Sequence, residues 1–244
     1  HRVYRQARAL LASVEDFDSE MGELKSTVYG TLRIGIVDNT VMDTDLDLKS
    51  VVGRFLQKYR QVRLDIDVAG PDRLMNDVAS GVMQVALLPE SPKRDDIQQR
   101  RVYTEHHGVY CGKRHPLFAR PEKEISVGEI VEHAFVVRPY ANLRELAPFP
   151  GASVGAHASN MEAQALLILS GHFLGNLPIH YAQYWTARGE LRQLMPDQVV
   201  IESPFHLVSR VGRKPSLLTR AFIQEFVAHM AAQRERLDAP RPGQ

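Results

Sequence analysis

His106, His107, Cys111 and His115 lie close together in the chain, and on a strand His107 and Cys111 would share a face. Side chains of these types bind metals, but their spacing matches no zinc-site pattern of paired ligands. A histidine pair at a strand edge more often holds structure, so no metal or other cofactor is expected. Phosphate-cradling glycine loops, G-x-S-x-G turns and H-E-x-x-H helices are missing. No pair of carboxylates has a spacing that singles out an acid and a base. The side chains offer binding rather than catalysis, and no enzyme activity is expected.

Three other places present groups that could hold a ligand. Asp38, Asn39 and Thr40 follow an apolar alternating segment; Asn and Thr there suit ligand contact or a turn and cap equally. Ser159-Asn160-Met161-Glu162 has the S-x-x-E form of a capping box, which puts Ser159 at a helix start to cap, to touch ligand, or both. Arg138 follows an apolar strand and has a guanidinium fork suited to an anion, unless it is a solvated loop residue. Against an anionic ligand stand Asp38, Asp43, Asp45 and Asp47, which would repel a carboxylate and leave a polar neutral or cationic molecule in contention.

The elements that must position these groups can be read from hydrophobic spacing. Val3, Ala7, Leu10, Val14, Phe17, Met21, Leu24 and Val28 follow one another four and three residues apart, a heptad seam on an otherwise polar helix. So narrow a seam predicts a dimerisation helix over residues 1–29, or else an amphipathic helix lying on its own domain. Leu32, Ile34 and Ile36 then alternate as a strand. A helical stripe follows at Leu48, Val51, Val52, Phe55, Leu56 and Tyr59, another alternation at Val62, Leu64, Ile66 and Val68, a short helix at Leu74, Met75 and Val78, and a buried strand at residues 85–88. That is β-α-β-α-β, the pattern of a parallel sheet. A second block predicts strands at residues 108–111, 134–137, 154–156 and 173–177, and, after 199–201, at 206–211. Its helices fall at residues 127–131, 160–169 and 215–237, the last carrying Leu218, Phe222, Phe226 and Met230 on one face.

Composition narrows the function classes. The 244 residues balance 30 basic against 29 acidic side chains, so no general field would hold a polyanion. A single cysteine forms no internal disulfide, which points to the cytoplasm. The longest apolar run, around residues 165–170, is too short to span a bilayer, and no membrane partner is expected.

The order of these elements, with Gly30-Thr31-Leu32-Arg33-Ile34-Gly35, Arg114-His115-Pro116-Leu117 and Ser170-Gly171-His172-Phe173-Leu174-Gly175-Asn176-Leu177-Pro178, resembles the effector-binding domain of LysR-type transcription regulators. The resemblance covers nearly the whole chain, with two departures: Phe173 stands where a second glycine is usual, and Gln84 where an aspartate commonly precedes the third strand. It implies an α/β fold of two Rossmann-like lobes joined by two crossing strands, like type II periplasmic binding proteins, behind a linker helix. The expected division is residues 1–29 as linker helix, 30–103 with 206–238 as the first lobe, 104–205 as the second, and 239–244 as a disordered tail. The crossings would fall near Thr104 and Phe205.

The resemblance also implies a small-molecule effector held in the interlobe cleft, with Asn39, Thr40, Pro89, Thr104, Arg138, Ser159, Asn160 and Phe205 as candidate contacts. It implies a homodimer or homotetramer, and operator DNA bound only through a winged-helix head preceding residue 1, the sequence starting inside the linker helix. The alternative is a solute-binding protein or enzyme on the same two-lobed fold. Neither needs a heptad helix before its first strand, whereas a regulator needs one to bring two DNA-binding heads to paired half-sites.

Overall fold

The computed structural model describes residues 28–139, 144–212 and 215–238, and with them Val3, Gln6, Ala7, Leu10 and Val14. Its elements run β1 (Gly30–Ile36), α1 (Leu48–Lys58), β2 (Val62–Val68), α2 (Pro71–Ala79), β3 (Val85–Pro89), β4 (Ile97–Gly112), α3 (Val127–Ile130) and β5 (Phe135–Val137). Then follow β6 (Val154–His157), α4 (Met161–Leu169), β7 (Leu174–Pro178), α5 (Ile179–Thr186), β8 (Leu191–Leu194), β9 (Ile201–Arg210) and α6 (Leu217–Asp238). The fold is mixed α/β. The chain divides into two compact units, His1–Tyr103 with Pro204–Gln244, and Thr104–Ser203.

In the first unit β1 pairs in parallel with β2 and β3, and β3 takes β9 antiparallel on its other side. Leu32 and Ile34 are buried, as the alternation from Leu32 predicts. The α1 stripe buries Leu48, Val51 and Phe55, and its partner lies within the unit: the Phe55 and Phe222 rings meet edge to face, centroids 5.2 Å apart. The stripe thus finds cover within its own unit. Leu218, Phe222, Phe226 and Met230 of α6 all enter the same core.

In the second unit β5 pairs in parallel with β6 and β7, while β4 runs antiparallel to β7 and β8. Both departures from the family pattern are compensated locally. The Phe173 ring fills the space over Gly155, where a Cβ would come within 2.9 Å of it. Gln84 accepts the Arg33 N–H through its side chain at 2.8 Å and donates its own N–H to the Arg33 carbonyl at 3.1 Å, tying the start of β3 to β1. Gly171 turns the chain between α4 and β7 with φ +80°, and a Cβ there would lie 2.6 Å from that of Arg114, so only glycine fits.

Hydrogen-bonded neighbours run β2-β1-β3-β9-β4-β7-β5-β6 without a break, because β4 and β9 each contribute residues to both units. β4 starts at Ile97, well before the predicted strand, since Gln98, Gln99, Arg100 and Arg101 give its first half no apolar alternation. Helix α5 and strand β8 are also absent from the sequence reading, and β9 extends from Ile201 as one strand. Of the heptad seam, Val3, Ala7, Leu10 and Val14 are helical and exposed. Phe17, Met21 and Leu24 lie outside the described residues, and Val28 packs on the first unit's core.

Candidate functional site

In the first unit, the parallel order of β1 and β3 puts the loop after β1 at the carboxyl edge of the sheet, where open α/β sheets bind ligands. Asn39 takes φ +71° there, a conformation asparagine tolerates, and opens a 3-10 turn over Thr40–Met42. Thr40 is buried and donates its hydroxyl to the Val37 carbonyl at 3.4 Å. Asp43 shapes the loop. One of its oxygens accepts the Asp45 and Leu46 N–H groups, both at 2.9 Å, and the other accepts the Tyr103 hydroxyl. Pro89 ends β3 opposite Phe205 of β9, and the buried Phe205 ring meets Tyr103 edge to face at 5.9 Å.

In the second unit, the predicted cap moves by one residue. Asn160, not Ser159, caps α4, accepting the Ala163 N–H on its side chain at 2.8 Å. Ser159 is exposed just before it. The S-x-x-E spacing misplaced the cap because asparagine caps as well as serine and here adopts the extended backbone a cap needs. Asn160→Ala is therefore expected to cost about 1 kcal/mol in urea unfolding, and Ser159→Ala less than about 0.5 kcal/mol. Equal losses would restore Ser159 as the cap.

Arg138 is not a solvated loop residue. It is buried, and both its Nε, at 2.8 Å, and its Nη2 donate to Glu145 Oε1. Asn176, buried in β7, donates its side-chain N–H to the Glu145 carbonyl at 2.9 Å, and Gln164 of α4 donates to the Asn176 carbonyl at 2.9 Å. Thr104 lies half-buried in β4, and next to it Glu105 is buried with its Oε2 2.6 Å from His107 Nε2 and its Oε1 3.9 Å from His180 Nε2. Burial alone would raise the Glu105 carboxyl. His107, His180 and Arg138 outweigh that effect and hold it below the usual carboxylate range.

The four candidate metal ligands go different ways. His107 is engaged by Glu105, and His106 is exposed. Cys111 is buried, its thiol pushed up to about 12 by desolvation. His115 accepts the Leu117 N–H and meets the His133 ring edge to face, centroids 4.5 Å apart; burial first, then His133, push it down to about 4. The second unit also holds a pocket of about 410 Å³ lined by Tyr110, Phe118, Gln183, Arg192 and Gln193 among others, and none of the sequence-derived candidates lines it.

Glu105, Glu145, Gln164, Asn176 and His180 were missed in the sequence reading. A signal existed for two of them: Gln164 interrupts an apolar helix and Asn176 an apolar strand, and a polar residue in such a setting is buried with a purpose.

The LysR substrate binding domain family matches residues 26–231. The HTH-type transcriptional activator BauR of Pseudomonas aeruginosa is 32% identical over 223 residues, which span 91% of this chain and 73% of BauR. Among solved structures, the effector-binding domain of QuiR in complex with shikimate superposes with a TM-score of 0.71 at 13% identity, covering 84% of this chain and 98% of that one. Full-length CbnR complexed with its target DNA superposes with a TM-score of 0.67 at 11% identity, covering 94% of this chain and 81% of that one.

Proposed function

Since this chain belongs to the LysR substrate-binding family, we propose that it is the effector-sensing and oligomerising part of a transcription regulator. The observation that carries this reading is the family match across two α/β units that share two strands, on a chain whose Val3, Ala7, Leu10 and Val14 are helical and exposed. The family consists of transcription regulators rather than enzymes, and we extend that to this chain: it senses a metabolite and catalyses nothing. No described helix is long and apolar enough to cross a membrane, and we place the protein in the cytoplasm with its operator.

A small effector contacts Asn39, Thr40, Pro89 and Phe205 of the first unit and Thr104, Arg138, Ser159 and Asn160 of the second. Contacts to both units are what would let binding bias their relative orientation, since a ligand held by one alone has equal affinity for every arrangement. The helix over residues 1–29 pairs with a second copy into a homodimer or homotetramer, and operator DNA is bound through a winged-helix head joined to it.

A thermal-shift screen of metabolites on the purified chain tests the sensor. An effector at a hundredfold excess over its Kd should stabilise the fold by about 2.7 kcal/mol. Asn39→Ala and Ser159→Ala should each weaken that response, and the double variant should lose more than either. An effector bound as tightly by both single variants as by the wild type would place the site elsewhere.

A further inference from the structure

The second unit contains three buried side-chain oxygens to which no described group donates a hydrogen bond: Glu145 Oε2, Gln164 Oε1 and Asn176 Oδ1. None of the three residues is more than 4% exposed. They are not scattered. Gln164 donates to the Asn176 carbonyl, Asn176 to the Glu145 carbonyl, and Arg138 to Glu145, so the three oxygens hang on one continuous network. The amides of Gln164 and Asn176 and the Arg138 guanidinium are donors in that network, whereas these three oxygens accept nothing from the described residues. Buried acceptors without donors are unfavourable, and native interiors rarely keep several together.

The charges point the same way. Among these buried groups are two carboxylates, Glu105, which faces His107 and His180, and Glu145, which engages the guanidinium of Arg138. A carboxylate ligand would bring a further negative charge and no donor; an ammonium would bring a positive charge and N–H groups. Arg138 and the start of α4 are the features that would favour an anion. The first has a carboxylate already, and the first N–H groups of the second include one taken by Asn160.

We infer that the effector is a small molecule carrying a primary ammonium group, whose N–H groups are received by Glu145 Oε2 with Gln164 Oε1 and Asn176 Oδ1. This deepens the sensor reading and rests on it.

The test uses the purified chain with n-butylammonium chloride, tetramethylammonium chloride and sodium butyrate at matched ionic strength and pH 7, each raised stepwise into the millimolar range. The first should raise Tm in a saturable way. Tetramethylammonium has charge but no N–H, and butyrate has the wrong sign, so neither should act. Glu145→Gln should weaken the butylammonium response about tenfold or more, the expected loss for a hydrogen bond between charged groups. Gln164→Met, which leaves the Arg138–Glu145 pair in place, should weaken it severalfold and decides the matter if Glu145→Gln does not fold. Butylammonium without effect, or an effect that survives the substitutions, overturns the ammonium assignment. A butyrate response lost in Asn39→Ala and Ser159→Ala overturns it while leaving the sensor reading intact. A butylammonium response lost in Glu145→Gln and Gln164→Met but untouched in Asn39→Ala and Ser159→Ala upholds the ammonium assignment and removes the two-loop site.

Discussion

Replacing Arg138 by alanine is expected to destabilise the second unit by about 3–5 kcal/mol, because it leaves the Glu145 carboxylate buried without its countercharge. The side chains of Arg138 and Glu145 are 9% and 5% exposed, so solvent screens their attraction little. Arg138→Lys should recover only part of the loss, since an ammonium cannot reproduce donation from both Nε and Nη2. Removing both charges together, as in Arg138→Met with Glu145→Leu, should cost less than Arg138→Ala alone, because no unpaired ion remains. Urea unfolding of the three variants measures this. A loss under about 1 kcal/mol for Arg138→Ala would mean that the pair is solvated like a surface pair.

Phe222→Ala is expected to cost the first unit about 3–5 kcal/mol, the range for removing a fully buried aromatic ring. Phe222 is 1% exposed and stands against Phe55 of α1 and Phe226 one turn along α6. The loss would combine the lost burial with a cavity between two helices that β-strand packing holds in place. Phe222→Leu should cost clearly less. The same denaturant series reads both variants, and a small cost for Phe222→Ala would show that α1 is covered by something other than α6.

Much of the fold was legible because hydrophobic period is a local property. The alternation of Leu32, Ile34 and Ile36 and the stripes of Leu48, Val51 and Phe55 and of Leu218, Phe222 and Phe226 each announce a face that must be buried, and all but the half-buried Ile36 are buried. The elements that escaped are those without such a period. The first half of β4 is Gln98 to Arg101, whose side chains do not alternate, and α5 mixes His180, Gln183 and Thr186 among its aromatics. Their secondary structure is imposed by neighbours already in place: β9 beside the first half of β4, and the last residues of β7, from which α5 continues directly.

The residues themselves determined the absence of catalytic motifs, the parallel β-α-β alternation and the polar loops that end its strands. Cap position was finer than they could settle, since Ser159 and Asn160 are both good caps and only the backbone angles at Asn160 choose between them. The buried network was wholly a tertiary decision. Glu105 lies 75 residues from His180, and Glu145 lies 31 from Asn176. Whether each is a solvated surface group or a buried, partnered one depends on distances that no spacing along the chain encodes, because an ion pair or hydrogen bond exists only once packing has brought its two ends within reach and removed the water between them.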